Sequence, residues 1–142
     1  MTNKVTLFIA AVGPTRHIPP TMRVLCADDE ADIRTILELA LSLEPSIDAE
    51  FFASGGALLD RAKQGGADAV LLDAMMPGMD GYETCRRLKA DPATAHLPVV
   101  FLTARATGAS YAEEVPTGAV ACLTKPFDPL TIAAELLAAL PR

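Results

Sequence analysis

The chain has 142 residues, of which 51% are hydrophobic and 21% charged, and its formal net charge is −6. This length favours one domain with one core, and the composition is that of an ordinary globular domain. The acidic balance argues against nucleic-acid binding, since a phosphate backbone is met by clustered lysine and arginine. Three cysteines without paired spacing favour a reduced, cytoplasmic setting.

The first 21 residues stand apart from the rest. An apolar run at 5–12 is broken by Gly13 and Pro14, and it is too short to span a bilayer, so we expect no membrane partner. A secretory leader is the weaker interpretation, because only Lys4 precedes the run. Met22 could itself be the natural first residue of the protein. Residues 1–21 are therefore either a misassigned leader or an added segment, and residues 22–142 form the predicted domain.

From residue 22 onward, short apolar runs alternate with helical patterns. The apolar runs, which predict five strands, lie at 24–27, 49–53, 69–72, 99–102 and 120–123. Alternating strands and helices favour a parallel sheet covered by helices on both faces. Such a sheet binds ligands beyond the carboxyl ends of its strands.

Helical spacing of apolar residues predicts the intervening helices. The first three are expected around 33–41, 56–64 and 81–90. The pattern between 103 and 120 is weak and predicts a short helix. The last helix is expected to begin at Asp128, as an N-cap, with Pro129 in its first turn.

Polar side chains follow four of the five apolar runs. Asp28 and Asp29 follow the first run, Asp73 the third, Thr103 the fourth, and Lys125 comes just after the fifth. Neighbouring carboxylates would repel by roughly 3–4 kcal/mol per pair at an effective dielectric of about 20. A cation should compensate, and Mg²⁺ fits best because it prefers a few carboxylates with water and phosphate oxygens. A carboxylate beside Mg²⁺ and a lysine is a plausible nucleophile toward phosphorus.

These motifs resemble the receiver domain of two-component response regulators, in the single-domain form known from chemotaxis. The resemblance extends from residue 22 to about 140, and its four motifs begin at Val24, Leu71, Leu102 and Lys125. It implies a flavodoxin-like doubly wound (βα)5 fold with strand order 2-1-3-4-5. It also implies a phosphorelay switch with no catalytic turnover apart from self-phosphorylation and autodephosphorylation.

The resemblance assigns a role to each matching residue. Asp73 corresponds to the phosphoacceptor. Asp28 and Asp29 correspond to the acidic pair, with Asp29 the more direct Mg²⁺ ligand. The backbone carbonyl of Met75 would complete the metal site, together with Asp73.

Three further positions follow from the same resemblance. Thr103 corresponds to the switch hydroxyl, and Lys125 would pair with a phosphoryl oxygen. The Lys125-Pro126 bond resembles the family's cis peptide, which only X-Pro makes inexpensive. Cys122 departs from the pattern, since the family often has an aromatic residue there, and this puts the usual threonine–aromatic coupling in doubt. We otherwise expect all three cysteines to be small buried residues.

Two other functions fit part of the sequence pattern. A haloacid-dehalogenase-type phosphohydrolase also uses a strand-end aspartate, but it places a second acid two residues later, where this chain has Met75. A docking module that keeps the fold without phosphorylation is the other alternative. For a receiver domain, the expected partners are a histidine kinase or phosphotransfer protein and a downstream protein, because the chain leaves no room for an output domain.

Overall fold

The computed structural model describes residues 21–104 and 118–141. Residues 1–20 of the N-terminal segment lie outside this part of the chain. So does most of the segment between 103 and 120, for which a short helix was predicted.

Strands and helices alternate along the described residues. The strands are β1 (Met22–Ala27), β2 (Ile47–Phe52), β3 (Ala69–Asp73), β4 (Val99–Thr103) and β5 (Ala121–Thr124). The helices are α1 (Ala31–Ser42), α2 (Gly55–Ala62), α3 (Gly81–Ala90) and α4 (Ile132–Ala139). None of these helices is long and apolar enough to cross a membrane.

The five strands form one parallel sheet in the order β2-β1-β3-β4-β5. This is the flavodoxin-like order, so the predicted fold class is confirmed. Strand order reverses at β1, which lies between β2 and β3. The carboxyl ends of β1 and β3 therefore border the crevice where a doubly wound sheet binds ligands.

Local capping explains where two of the helices begin. The side chain of Ser54 accepts a hydrogen bond from the Ala57 amide at the start of α2. The side chain of Asp80 accepts one from the Glu83 amide at the start of α3. Each cap satisfies an amide that has no partner within its helix. The predicted bounds of α3 are confirmed.

The predicted start of the last helix was wrong. The helix begins at Ile132, with Thr131 as its N-cap, instead of at Asp128. The Asp128 carboxylate accepts a hydrogen bond from the Leu130 amide, and its carbonyl accepts one from the Thr131 amide. Asp128 therefore closes a turn that precedes the helix, because its local hydrogen bonds compete with a helical conformation.

The core consists of two apolar layers, one on each face of the sheet. Leu58 of α2 and Leu88 of α3 belong to one layer, and Leu37 of α1 and Leu136 of α4 belong to the other. Every residue of β3 and β4 is buried, as expected for central strands covered on both faces.

The cysteines are reduced, and two of the three are buried as predicted. Cys26 and Cys85 are buried, whereas Cys122 is only partly buried. Burial raises the pKa of the Cys26 thiol, which keeps it protonated. The prediction for Cys122 was wrong because β5 is an edge strand of the described sheet, with one side not covered by another strand.

Candidate phosphoacceptor site

Three carboxylates meet at the carboxyl edge of the sheet. One oxygen each from Asp28, Asp29 and Asp73 lies within 4.8 Å of the others. The register that pairs Ala27 with Leu72 makes Asp28 and Asp73 neighbours at the ends of adjacent strands. Asp28 and Asp73 are only 2% and 4% exposed, whereas Asp29 is exposed. Sequence analysis predicted this juxtaposition.

Lys125 closes the cluster from the end of β5. Its Nζ donates hydrogen bonds to Asp28 Oδ2 at 3.0 Å and to Asp73 Oδ2 at 3.1 Å. It also lies 3.6 Å from an oxygen of Glu30. The Lys125 amide donates to the Thr103 carbonyl, and the Lys125-Pro126 peptide is cis. One ammonium therefore serves two buried carboxylates.

The electrostatics of the cluster are unbalanced. Burial raises the pKa of Asp73, and the negative charge of Asp28 raises it further, although the hydrogen bond from Lys125 opposes both. Burial by itself lowers the pKa of Lys125, but its hydrogen bonds to Asp28 and Asp73 outweigh this, so the pKa is raised. The ammonium stays charged, yet it does not fully compensate the carboxylates around it.

Thr103 and Met75 lie at the same rim. Thr103 is the last residue of β4 and is buried. The Met75 amide donates to Asp73 Oδ1 at 3.2 Å, while its side chain is 65% exposed. Together with Asp29, Asp73 and Lys125, these residues line an open cleft of about 350 Å³. The structure thus brings together the residues that the sequence predicts for the site, namely Asp28, Asp29, Asp73, Met75, Thr103 and Lys125.

Gly81 also shapes the site, although sequence analysis assigned it no role there. Its amide donates to the Ala74 carbonyl at 3.0 Å. A Cβ at this position would collide with the backbone carbonyl oxygen of Asp73 and would press against Ala74 Cα. A glycine is therefore required for the start of α3 to pack directly against the strand end that carries Asp73. The close approach is a tertiary contact that local sequence does not reveal.

Two more residues near the site were missed, Glu30 in the loop between β1 and α1 and Arg34 in the first turn of α1. Glu30 approaches Lys125, and Arg34 donates a hydrogen bond from Nη1 to the backbone carbonyl of Asp28 at 2.8 Å. The sequence of α1 does not single out Arg34, since the first turn of this helix also contains the charged Asp32.

The donor set suits a hard divalent cation. Three carboxylates with oxygens this close repel one another, and a single lysine leaves excess negative charge. Mg²⁺ prefers oxygen ligands and is commonly held by one or two carboxylates, with water and phosphate oxygens completing its shell. The residues at the rim fit such an ion.

Comparisons with known proteins agree with this architecture. The family model of the response regulator receiver domain matches residues 24–137. The chain is 38% identical over 120 residues to the response regulator PleD of Caulobacter vibrioides, which covers 80% of this chain and 25% of PleD. It is 36% identical over 121 residues to the phosphate regulon regulatory protein PhoB of Pseudomonas aeruginosa, covering 84% of this chain and 52% of PhoB. The chain thus spans about half or less of these curated relatives.

Solved structures show the same likeness. The chemotaxis protein CheY4 of Vibrio cholerae has a TM-score of 0.76 and 28% identity, covering 84% of this chain and 99% of CheY4. The BeF3-activated receiver domain of DrrB, a Thermotoga maritima protein, has a TM-score of 0.72 and 26% identity. That match covers 86% of this chain and 99% of the DrrB domain.

Proposed function

Because the chain belongs to the family of response regulator receiver domains, we propose that it accepts a phosphoryl group on Asp73, with Mg²⁺ bound beside it. The donor is a histidine kinase or a phosphotransfer protein in the cytoplasm. The observation that carries this proposal is the buried carboxylate of Asp73, which shares the Lys125 ammonium with Asp28 in a cluster with excess negative charge.

In the transfer, an oxygen of the Asp73 carboxylate forms a bond to phosphorus. The bond between phosphorus and the donor atom breaks, and the donor leaves with its electron pair. Asp28, Asp29, Asp73 and the Met75 carbonyl would hold Mg²⁺. When bound, the ion supplies positive charge that stabilises the carboxylates and the transferring phosphoryl oxygens.

Lys125 and Thr103 would respond to the new group. The Lys125 ammonium, which already contacts Asp73 Oδ2, exchanges that contact for a phosphoryl oxygen. The Thr103 hydroxyl donates a hydrogen bond to another phosphoryl oxygen. The phosphoryl group carries about −1.5 to −2 charges at neutral pH in place of the single charge of the Asp73 carboxylate, and this change biases a pre-existing conformational equilibrium.

The output is a change in protein–protein contacts. We propose that the chain signals to a downstream protein through such contacts. Cys122 of β5 lies beside Phe101 of β4. Because the family often has an aromatic residue at the position of Cys122, the usual coupling of the threonine to that aromatic residue is put in doubt for this chain.

Intact mass after incubation with acetyl phosphate tests the proposal. With Mg²⁺ the wild-type chain should gain the mass of one phosphoryl group, and with a chelator it should not. The Asp73→Asn variant should gain none under either condition. Equal labelling of the wild type and Asp73→Asn would overturn the proposal. Continuous release of phosphate from simple phosphate esters would instead support a phosphohydrolase.

A further inference from the structure

Arg34 connects the first helix to the loop that carries the acidic pair. Its Nη1 donates to the backbone carbonyl of Asp28, six residues earlier, at 2.8 Å. Its own amide donates to the carbonyl of Glu30 at 3.0 Å as the first helical bond of α1. Arg34 therefore binds the loop at its first and its last residue.

The contact with Asp28 fixes the peptide that leads into Asp29. The carbonyl of Asp28 and the amide of Asp29 belong to one planar unit, so holding the carbonyl sets the direction in which Asp29 leaves the strand. The Asp28 amide is held by the Phe52 carbonyl at 3.1 Å. Asp28 Oδ1 accepts from the Glu30 amide at 2.9 Å. With these bonds, the backbone on both sides of Asp29 is held.

Asp29 needs this support more than the other two carboxylates do. Asp28 and Asp73 are buried and bonded to Lys125, whereas the Asp29 side chain is exposed. Packing therefore contributes little to its orientation. Nor does a conventional cap hold the start of α1, because the Glu30 side chain at its N-cap makes no capping hydrogen bond in the structure.

We propose that Arg34 is a positioning residue that orients Asp29 toward the cation, acting through the backbone of Asp28. This inference rests on the proposed function, since it concerns the same metal site. Arg34 neither touches the phosphoryl group nor binds the metal. Its role resembles that of residues outside a metal's own ligands, whose replacement typically lowers metal affinity by about 10–100-fold.

The positive charge of Arg34, taken alone, predicts the opposite effect of its removal on Mg²⁺ affinity. This difference makes the proposal testable. A guanidinium near the site repels a divalent cation, so a residue acting only through its charge would tighten Mg²⁺ binding when removed. A positioning residue would weaken Mg²⁺ binding when removed. The sign of the change in Kd distinguishes the two.

The experiment measures Mg²⁺ binding to the unphosphorylated full chain by titration calorimetry. Arg34→Met, which keeps the apolar stem but loses the donor, should raise the Kd by about tenfold. Arg34→Gln, which keeps a donor but loses the charge, should recover part of that loss. Arg87→Met removes the same charge from an exposed position on α3, where the side chain pairs with Glu83, and should leave the Kd unchanged.

A second readout separates positioning from general destabilisation. The initial rate of phosphorylation by acetyl phosphate, followed against Mg²⁺ concentration, should reach half its maximum at higher Mg²⁺ in Arg34→Met. The maximal rate at saturating Mg²⁺ should match the wild type, since Arg34 does not contact the reacting atoms. A lower maximal rate with an unchanged Mg²⁺ dependence would overturn the proposal.

Further outcomes are equally decisive. A Kd that is unchanged or lower in Arg34→Met overturns the role of Arg34 and leaves phosphorylation of Asp73 standing. If Arg34→Met does not fold, Arg34→Leu, which also lacks a donor, decides, and an unchanged Kd in that variant overturns the role. A wild-type chain that binds no Mg²⁺ overturns this inference, whereas the mass gain at Asp73 tests the proposed function separately.

Discussion

Two clusters of charged side chains lie at opposite ends of the sheet, and they differ in burial and in balance. The cluster at the amino end joins β1, β2 and α2 through Arg23, Asp48, Glu50 and Arg61. The cluster at the carboxyl end joins β1, β3 and β5 through Asp28, Asp73 and Lys125. The first has two cations and two anions, and the second has one cation and two anions, with Asp29 beside them.

Their environments differ as strongly as their charges. The Arg23 and Asp48 side chains, 2.7 Å apart, are 39% and 49% exposed. The Asp28 and Asp73 side chains are 2% and 5% exposed. The network at the amino end is balanced in charge and keeps part of its hydration even at Glu50 and Arg61, whose side chains are 32% and 18% exposed, so it needs no further partner. Buried carboxylates in excess lose their hydration without full compensation, so the carboxyl-end cluster is poised to bind positive charge.

The largest effect is expected from Lys125→Met. Removing the ammonium leaves two buried carboxylates without their cation, which should lower the free energy of unfolding by about 3 kcal/mol in the presence of a chelator. Urea unfolding at neutral pH measures this. Mg²⁺ should restore part of the loss. Lys63→Met, at an exposed position just after α2, is the matched control and should change little. Equal losses for the two variants would contradict the account.

The next largest effect is expected from Gly81→Ala. The new Cβ would meet the Asp73 carbonyl oxygen and Ala74 Cα, so the start of α3 must shift, at a cost of about 1–3 kcal/mol in stability. Mg²⁺ affinity should fall as well, because the strand end that carries Asp73 moves. Gly56→Ala is the control, since nothing lies within 4 Å of its added Cβ. Wild-type Mg²⁺ affinity in Gly81→Ala would show that the close approach is unimportant.

When metal is removed, the pH dependence of stability should reveal the cost of a negative charge on the buried Asp73 side chain. Burial raises the pKa of Asp73 above its ordinary value of 3.8, so the folded chain keeps this proton to a higher pH than the unfolded chain. Below the unfolded-state pKa, Asp73 is protonated in both states, so its charge does not affect the free energy of unfolding. Above the folded-state pKa, Asp73 is charged in both states, and its charge lowers the free energy of unfolding by the full amount.

The comparison with Asp73→Asn isolates this contribution. In a chelator, the free energy of unfolding of the variant minus that of the wild type should rise as the pH increases above about 4 and then level off. Urea unfolding across the acid and neutral range supplies both curves. A difference that falls with increasing pH would mean that the Asp73 charge is stabilised by its surroundings.

The smallest effect is expected at the amino end. Arg23→Met removes an exposed ion pair with Asp48 and a partly buried one with Glu50. Its cost in stability should be less than that of Lys125→Met or Gly81→Ala, and it should shrink further at high salt because exposed charges are screened. Chemical unfolding at low and high salt measures this. A loss as large as that of Lys125→Met would remove the distinction between the clusters.

Sequence analysis predicted the carboxyl-end cluster because the cause is topological. Parallel strands end at one edge of a sheet, so polar residues at the ends of adjacent apolar runs must meet there. This argument and a family resemblance were enough to predict that Asp28, Asp73 and Lys125 lie close together. Arg34 and Gly81 were missed because their importance depends on contacts with backbone atoms, namely the carbonyls of Asp28 and Asp73, which no local pattern specifies.

The start of the last helix shows the limit of local patterns. An aspartate followed by a proline is typical of a helix N-terminus, but in this chain Asp128 and Pro129 form a turn, and the helix begins only at Ile132. The Asp128 carboxylate can accept a hydrogen bond from a backbone amide either as a helix N-cap or in a turn. Ile132, the first residue of the helix, is buried in the apolar layer that also contains Leu136.

The central claim is that the excess negative charge at the carboxyl end serves phosphoryl transfer to one particular carboxylate. Borohydride reduction of the chain after reaction with acetyl phosphate and Mg²⁺, followed by peptide mapping, identifies that carboxylate directly, because reduction converts an aspartyl phosphate into homoserine. We predict conversion at Asp73, with Asp28 and Asp29 unchanged. Conversion at either of those two residues, or at none, would contradict the account.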